Sequence, residues 1–174
     1  MNLNKLKLLK RRLVYVRSKI YCYIKHVKIG KETYLGRNVK ISKSSTIGSF
    51  GYIGEYSTFH QTVHIGNYCL ISDLVSIIGN DHNFNIPGKP IIKSGIPVPK
   101  VTYIGDDVWI GHMVSLKSGV TIGDGSIVGS NSVVTKNIPE YEIWAGVPAI
   151  KIGDRFESED SLIRHKEFLN SKKH

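Results

Sequence analysis

The segment IGDDVWIGHMVSLKSGVTIGDGSIVGSNSVV, residues 104–134, places an aliphatic side chain at every sixth position. The aliphatic positions are Ile104, Ile110, Leu116, Ile122, Val128 and Val134. This spacing matches neither the 3.6-residue period of an α-helix nor the two-residue alternation of a single strand. It indicates a short structural unit that is repeated along the chain.

The same spacing runs through the first half of the chain. Small or β-branched residues such as Thr33, Ser45 and Val63 stand four places after the apolar ones. Glycine follows many of the apolar residues directly, where its lack of a Cβ suits a bend. Nine apolar residues carry the six-residue spacing here: Ile29, Leu35, Ile41, Ile47, Ile53, Phe59, Ile65, Ile71 and Ile77.

Together the two halves contain fifteen six-residue units. Three units make one triangular turn, so the pattern predicts an all-β solenoid of about five turns with parallel strand pairing. A β-sandwich is the alternative, but its strands alternate with a period of two and are spaced unevenly.

The repeat is interrupted between Ile77 and Ile104, which are 27 residues apart and therefore out of step with a period of six. The segment IIGNDHNFNIPG, residues 77–88, opens the interruption. Extra turns cannot absorb it, so we predict a loop extruded at about 78–103. Long loops in compact domains are usually functional or disordered.

The two ends differ from the repeat. Residues 1–26 have apolar side chains at helical intervals, and residues 1–31 hold ten Lys or Arg and no Asp or Glu. We expect a basic amphipathic helix over 1–26, a repeat domain over 27–153 and a C-terminal helix within 154–174, capped at Ser158. The basic helix either packs across the end of the solenoid or contacts an anionic membrane or an acidic acceptor through residues 1–28. Nucleic acid is not an expected partner, because aromatic residues are not interleaved with the charges.

Cys22 and Cys69 have neither a metal-binding nor an evident disulfide spacing, which favours a reducing compartment. The N-terminus lacks the features of a signal peptide, and no apolar run is long enough to span a membrane. We therefore expect a cytoplasmic protein with a potential peripheral position at the inner face of the membrane.

The block VWIGHMVSLKSGVTIGDGSIVGSNSVVTKNIPEYEIWAGVPAIKIGDRF, residues 108–156, contains the motifs WIG, GVTIGDGSIVG, SVVTK and GVPA. These motifs resemble the acetyl-CoA-dependent hexapeptide-repeat acyltransferases, above all the sugar and polysaccharide O-acetyltransferases. The resemblance implies a left-handed parallel β-helix, a homotrimer with sites between subunits, and acetyl-CoA as co-substrate without a required metal.

The resemblance also implies which residues bind the coenzyme. Family members often carry basic residues where this chain has Ile150 and Gly153, which leaves Lys151 and Arg155 as the alternative partners for its phosphates. The implied coenzyme-binding residues are Trp109, Gly111, His112, Gly129, Ser130, Thr135, Lys136, Pro148, Ala149, Lys151 and Arg155.

Direct transfer of an acetyl group to a hydroxyl needs a base for the hydroxyl proton, and imidazole titrates near neutral pH. In the family the base is a histidine at the loop, and His82 is the histidine within that segment. Asp81, Asp73 or a backbone carbonyl could orient it, and an amide near Gly111 or at Asn80 could stabilise the oxyanion. We predict acceptor contacts from Asn80, Phe84, His60 and Tyr56.

These features favour transfer to a hydroxyl of a sugar in a surface polysaccharide or its precursor. N-acetylation of a nucleotide-linked amino sugar and O-acetylation of an antibiotic are alternatives within the same chemistry. A zinc enzyme using His60, His64 and His82 would leave the coenzyme motifs without a role. A non-catalytic trimeric scaffold is a further alternative from a different class.

Overall fold

The structure is a computed structural model that describes residues 3–79 and 81–171. Two helices flank a long run of short strands: α1 (Leu3–Ile24), β1 (Lys28–Ile29), β2 (Tyr34–Leu35), β3 (Lys40–Ile41), β4 (Thr46–Ile47), β5 (Tyr52–Ile53), β6 (Thr58–Phe59), β7 (Val63–Ile65), β8 (Leu70–Ile71), β9 (Ser76–Ile78), β10 (Thr102–Ile104), β11 (Trp109–Ile110), β12 (Ser115–Lys117), β13 (Thr121–Ile122), β14 (Ile127–Val128), β15 (Val133–Val134), β16 (Glu142–Gly146), β17 (Ala149–Asp154) and α2 (Glu159–Ser171).

The strands form the three sides of a parallel solenoid. The first sheet has the order β1-β4-β7-β10-β13, the second β17-β16-β14-β11-β8-β5-β2 and the third β15-β12-β9-β6-β3. Each strand pairs with the strand one turn further along, so Lys28 lies beside Thr46 and Ile29 beside Ile47. The chain makes five complete turns and begins a sixth, in which Ile138 pairs with Ile122 and β16 with β14. The predicted left-handed β-helix is confirmed.

The six-residue pattern builds the core. Its central aliphatic residues, among them Ile71, Ile77 and Leu116, are fully buried. Most of the small or β-branched residues four places after the aliphatic ones are buried too, and the hydroxyls of the serines and threonines among them bond backbone groups that the sheets leave unpaired. Ser45 Oγ, for example, accepts a hydrogen bond from the amide of Val63, one turn further along.

The corners revise the role that the sequence suggested for glycine. The residue in the left-handed region at a corner is usually not glycine: Asn38, Tyr56, Leu74 and Met113 all have φ between 55° and 60°. The glycines that follow the aliphatic residues are instead required by close approach between turns. A Cβ on Gly111 would lie 2.6 Å from the amide nitrogen of Ser130.

The interruption is a loop over residues 79–101, one residue shorter at its start and two at its end than predicted, because β9 continues to Ile78 and β10 begins at Thr102. It leaves at the corner between the third and first sheets. Gln61 fixes its two ends: the side-chain amide donates to the carbonyl of Gly79 and accepts from the amide of Lys100. A 3₁₀ turn at Ile91–Lys93 lies within the loop.

Helix α1 covers the N-terminal end of the solenoid, as one interpretation of the sequence predicted. The first turn has no preceding turn to pair with, and α1 supplies the missing partners. Ser18 Oγ accepts from the amide of Leu35 at 2.9 Å, and Tyr21 Oη accepts from the amide of Ile41 at 3.1 Å. The ammonium of Lys19 donates to the carbonyls of Ile29 and Gly30, and Arg17 donates to the carbonyl of Leu35.

None of the helices described over 3–79 and 81–171 is long and apolar enough to cross a membrane.

The C-terminal part of the predicted 27–153 domain contains a feature that the six-residue spacing, which ends at Val134, does not predict. Strands β16 and β17 form an antiparallel hairpin, with a bulge between Ile143 and Trp144. The buried Trp144 lies over the last turn, next to Val128 in register. Helix α2 begins at Glu159, and Ser158 Oγ accepts from the amide of Ser161, as predicted for its cap.

Ser18→Ala should lower the free energy of unfolding by about 1–3 kcal/mol, because it leaves the amide of Leu35 buried without a partner. Ser42→Ala is the matched control, since the Ser42 hydroxyl contacts only the adjacent carbonyl of Lys43 at 3.5 Å. Chemical denaturation of both variants measures the difference. Equal stabilities would show that the hydrogen bond between the Leu35 amide and Ser18 contributes nothing.

Candidate functional site

The loop presents His82 near its exit from the solenoid. The neighbouring Asn83 closes the loop on itself, since its backbone amide donates to the carbonyl of Gly95 and its side-chain amide donates to the carbonyl of Ser94, both at 3.0 Å. Ser94 is buried and in turn donates to the carbonyl of Pro90. His82 is exposed beside this fixed point. The loop is therefore held by internal hydrogen bonds and carries an exposed imidazole.

Asp81 and Asp73 are the two acids that were considered for orienting His82. Asp81 is also exposed, and the structure gives no hydrogen bond or ion pair between these two described residues. Asp73, the other acid considered, accepts a hydrogen bond at 2.7 Å from the amide of Glu55 and so supports the stacking of two corners. Asn80, a predicted oxyanion donor and acceptor contact, lies outside the described residues.

One group of the predicted coenzyme residues gathers at the corner between the second and third sheets. His112 and Ser130 lie on successive turns, and the amide of His112 donates to Ser130 Oγ at 3.2 Å. Gly111 precedes His112, and Gly129 precedes Ser130. Trp109 stands close by on β11, half exposed and beside Ile127 in register. These five residues form a continuous strip over two turns.

The β16–β17 hairpin adjoins this strip. Ser132 Oγ donates to the carbonyl of Gly129 at 2.7 Å and accepts from the amide of Gly146 at 3.0 Å, which holds the hairpin turn against the corner. Pro148 follows a cis peptide bond and is exposed, whereas Ala149 is buried. The predicted GVPA segment is a turn next to Gly129.

The candidate phosphate partners Lys151 and Arg155 are both engaged with carboxylates. The Lys151 ammonium lies 2.8 Å from Asp154 and 3.0 Å from Glu142, and hydrogen bonds to these two carboxylates raise the pKa of Lys151. Hydrogen bonds from the Trp144 indole and from Lys151 lower the pKa of Glu142. Arg155 lies 2.7 Å from Asp107 and also donates to the carbonyls of Asp107 and Gly125. The arginine thereby ties the segment before α2 to two corners.

Thr135 and Lys136 form a second group at a different place. They directly follow β15, whereas His112 precedes β12 in the same sheet, so the two groups stand at opposite ends of the third-sheet strands. Both residues are exposed, and the ammonium of Lys136 lies 5.4 Å from the centroid of the Trp144 ring. The loop with His82 leaves from this same end of the third sheet, after β9.

The predicted acceptor residues are also divided. His60 is exposed one turn below the loop, and its amide points to the carbonyl of Ile77 at 3.4 Å. Phe84 lies on the loop with 80% of its surface exposed. Tyr56 is at the other end of the third sheet, in a groove of about 780 Å³ beside α1 that Arg17 and Tyr21 also line. The structure therefore brings His60 and Phe84 to the loop and places Tyr56 elsewhere.

The zinc alternative is not assembled within one chain. His64 is on the first sheet, where its Nδ1 lies 2.7 Å from Thr46 Oγ1, and His60 is at a corner. Across the part of the chain that the structure describes, no three His, Cys, Asp or Glu side chains are grouped as metal ligands.

Sequence comparison adds to this geometry. Residues 102–136 match the model of the bacterial transferase hexapeptide (six repeats). This part of the chain is similar to the hexapeptide repeat of bacterial transferases. A chloramphenicol acetyltransferase of Morganella morganii is 46% identical over 70 residues, which is 40% of this chain and 33% of the relative. The galactoside O-acetyltransferase of Escherichia coli K12 is 40% identical over 76 residues, 41% of this chain and 37% of the relative. This chain thus spans about a third of the length of these relatives.

A solved structure extends the similarity along the fold. The hexapeptide-repeat-containing acetyltransferase of Vibrio cholerae O1 biovar eltor, solved in complex with acetyl coenzyme A, is 25% identical. The match covers 81% of this chain and 77% of that one, with a TM-score of 0.71.

Exposed apolar surface is the feature that the sequence reasoning missed. The outward side chains of the second sheet form an apolar ladder of Tyr34, Tyr52, Leu70, Trp109, Ile127 and Ile143. The loop exposes Ile92, Ile96 and Val98 by more than 70% each. Apolar residues at the outward strand positions were the available signal, since a solvated sheet face is normally polar.

Proposed function

We propose that the protein transfers an acetyl group from acetyl-CoA directly to a hydroxyl of a sugar in a surface polysaccharide or its precursor, with His82 as general base. The observation that carries the proposal is the exposure of His82 on a braced loop, at the same end of the third sheet as Lys136 of the SVVTK motif. The acetyltransferase relatives support the donor, and the galactoside O-acetyltransferase supports the acceptor class.

In this proposal a nitrogen of the His82 ring accepts the proton of the acceptor hydroxyl. The hydroxyl oxygen forms a bond to the thioester carbonyl carbon as the carbon–sulfur bond breaks. The departing thiolate takes the proton back from the imidazolium, so the base is regenerated and no covalent enzyme intermediate is required. An amide near Gly111 or at Asn80 stabilises the developing negative charge on the carbonyl oxygen.

The strip of Trp109, Gly111, His112, Gly129 and Ser130 suits the extended part of the coenzyme. Its exposed side chains, Trp109, His112 and Ser130, can meet the amides of a pantetheine chain, and the exposed Pro148 continues the same wall. Lys136 supplies a cation for phosphate, whereas Lys151 and Arg155 would first have to share or release their carboxylate partners.

We further propose that the site is completed between subunits of a homotrimer. His82 and the coenzyme strip stand at opposite ends of the third-sheet strands of one chain, so a neighbouring copy can bring them together. The apolar loop residues and the apolar second sheet would then be covered by that neighbour, which removes their exposed area from water. Free, buried Cys22 and Cys69 suit a reducing, cytoplasmic location for the reaction.

Two other acceptors fit the same chemistry. Chloramphenicol acetyltransferase among the relatives favours an antibiotic hydroxyl as the second candidate. The amine of a nucleotide-linked amino sugar is the third, because a histidine base serves an amine as well. A trimeric scaffold without catalysis would need neither His82 nor the coenzyme strip.

An acceptor panel with purified protein and acetyl-CoA should give thiol release and one added acetyl group on a glycan by mass spectrometry. The product should lose its acetyl group in mild base, because an ester is hydrolysed where an amide survives. Nucleotide-linked amino sugars and chloramphenicol belong in the same panel. If turnover were confined to one of these two compounds, that compound and not a sugar hydroxyl would be the acceptor. No thiol release with any acceptor would favour the non-catalytic scaffold.

His82→Ala should lower kcat by about 10²–10⁴-fold with little change in the KM for acetyl-CoA, because the variant lacks the base and not the coenzyme strip. His64→Ala on the first sheet is the matched control and should retain its rate. Normal turnover by the His82 variant would remove it from the mechanism.

Subunit complementation tests the position of the site. His82→Ala and Ser130→Trp, which blocks the coenzyme strip, should each be inactive, and subunit exchange between them should restore about a quarter of the wild-type rate. This fraction is the chance that an interface pairs an intact His82 with an intact strip. Light scattering establishes the oligomer before mixing. A mixture that stays inactive would place both elements in one subunit.

A further inference from the structure

Helix α1 has two opposite faces with different environments. The inner face, which carries Ser18 and Cys22, is buried against the first turn of the solenoid. An apolar stripe occupies the opposite face, and its side chains are between 47% and 65% exposed: Leu9, Leu13, Val16, Ile20 and Ile24. Their spacing of three and four residues places them on one side of the helix. The contacts on the inner face use the terminal edge of the first turn, so the stripe faces away from the solenoid.

Cations border the stripe on both sides. At 100° per residue, Arg12 and Lys19 lie along one margin and Lys10 and Arg17 along the other. Residues 1–31 contain no Asp or Glu that would offset these charges. Arg17 and Lys19 hold the first turn through its carbonyls, while Lys10 and Arg12 are exposed at the margins.

We propose that this stripe is a docking surface for an anionic lipid bilayer, on which α1 lies in the plane of the interface. A bilayer surface offers acyl chains to the apolar side chains and anionic headgroups to the flanking cations, which is the pattern of interfacial helices. The α1 stripe of a second copy is the less suitable partner. Two such helices would bring positive margins together, whereas paired helices are matched by opposite charges at these positions.

The inference goes beyond acetyl transfer and does not depend on it. It places the protein at a surface where lipid-linked or membrane-bound acceptors are found. The fixed inner face gives the bound state a defined orientation, with the solenoid axis pointing away from the membrane.

The test is sedimentation of the full-length protein with unilamellar vesicles of phosphatidylcholine, with and without phosphatidylglycerol. We expect at least about tenfold stronger partitioning onto the anionic vesicles, and a decrease as salt screens the headgroups. Leu13→Glu/Ile20→Glu should abolish binding, because it places carboxylates in the stripe. Ile163→Glu, at an exposed apolar position of α2, is the matched control and should bind as the wild type does.

Two further measurements keep the outcomes separate. Lys10→Gln/Arg12→Gln should weaken binding to anionic vesicles while leaving the folded state intact by circular dichroism. Acetyl transfer to a water-soluble acceptor should be the same for the wild type and for Leu13→Glu/Ile20→Glu, so failure of the membrane proposal is distinguishable from failure of the proposed reaction. Equal binding to neutral vesicles, no binding to either vesicle, or a fall in oligomer mass caused by the stripe substitutions would overturn the proposal.

Discussion

The constraint on which this molecule depends is the hydrogen bonding between turns at a constant offset along the chain. In most turns each strand is only two or three residues long, so no single strand pair is stable by itself. Stability comes from repetition, because every turn is a template for the next and buries its aliphatic residues against those of its neighbours. A fixed offset also forces each corner to repeat, which explains both the left-handed backbone at Tyr56, Leu74 and Met113 and the absence of a Cβ at Gly111.

A solenoid leaves backbone groups and core side chains uncovered at its first and last turns. The two ends of this solenoid are covered in different ways. At the first turn the unpaired backbone groups are polar, and α1 meets them with Ser18, Lys19 and Tyr21. At the last turn the exposed part is the apolar interior, and Trp144 and Ala149 of the hairpin cover it. The same hairpin contains the turn at Gly146 and Pro148. It therefore both closes the core and forms part of the candidate coenzyme wall.

The sequence was sufficient to predict the solenoid and its interruption, because each rests on a periodic signal, whereas covering of one end by α1 was one of two open alternatives. The spacing of Ile71 and Ile77 fixes a position in the core regardless of what surrounds it. The antiparallel hairpin was not predicted, since the six-residue period fades after Val134 and pairing of β16 with β17 depends on tertiary contacts. Glycine was assigned to bends for a similar reason: a sequence does not reveal that the neighbouring turn approaches Gly111 so closely. The ion pairs of Lys151 and Arg155 depend on tertiary contacts in the same way. Lys151 meets Glu142 across the hairpin, and Arg155 meets Asp107, which is distant from it along the chain.

The division of the candidate site follows from the geometry of a prism. Regular turns present side chains on flat faces, which can line a groove but cannot reach over it. A reactive group that must meet a substrate above the groove therefore has to leave the repeat, and in the proposed reaction the loop between Gly79 and Lys100 serves this purpose. Since the loop is braced at its base by Gln61 and internally by Asn83, the position of His82 is set by hydrogen bonds that the repeat itself does not contain. In the proposed reaction the turns of the repeat can stay common to many acceptors, while the length and composition of this loop would determine which hydroxyl meets His82.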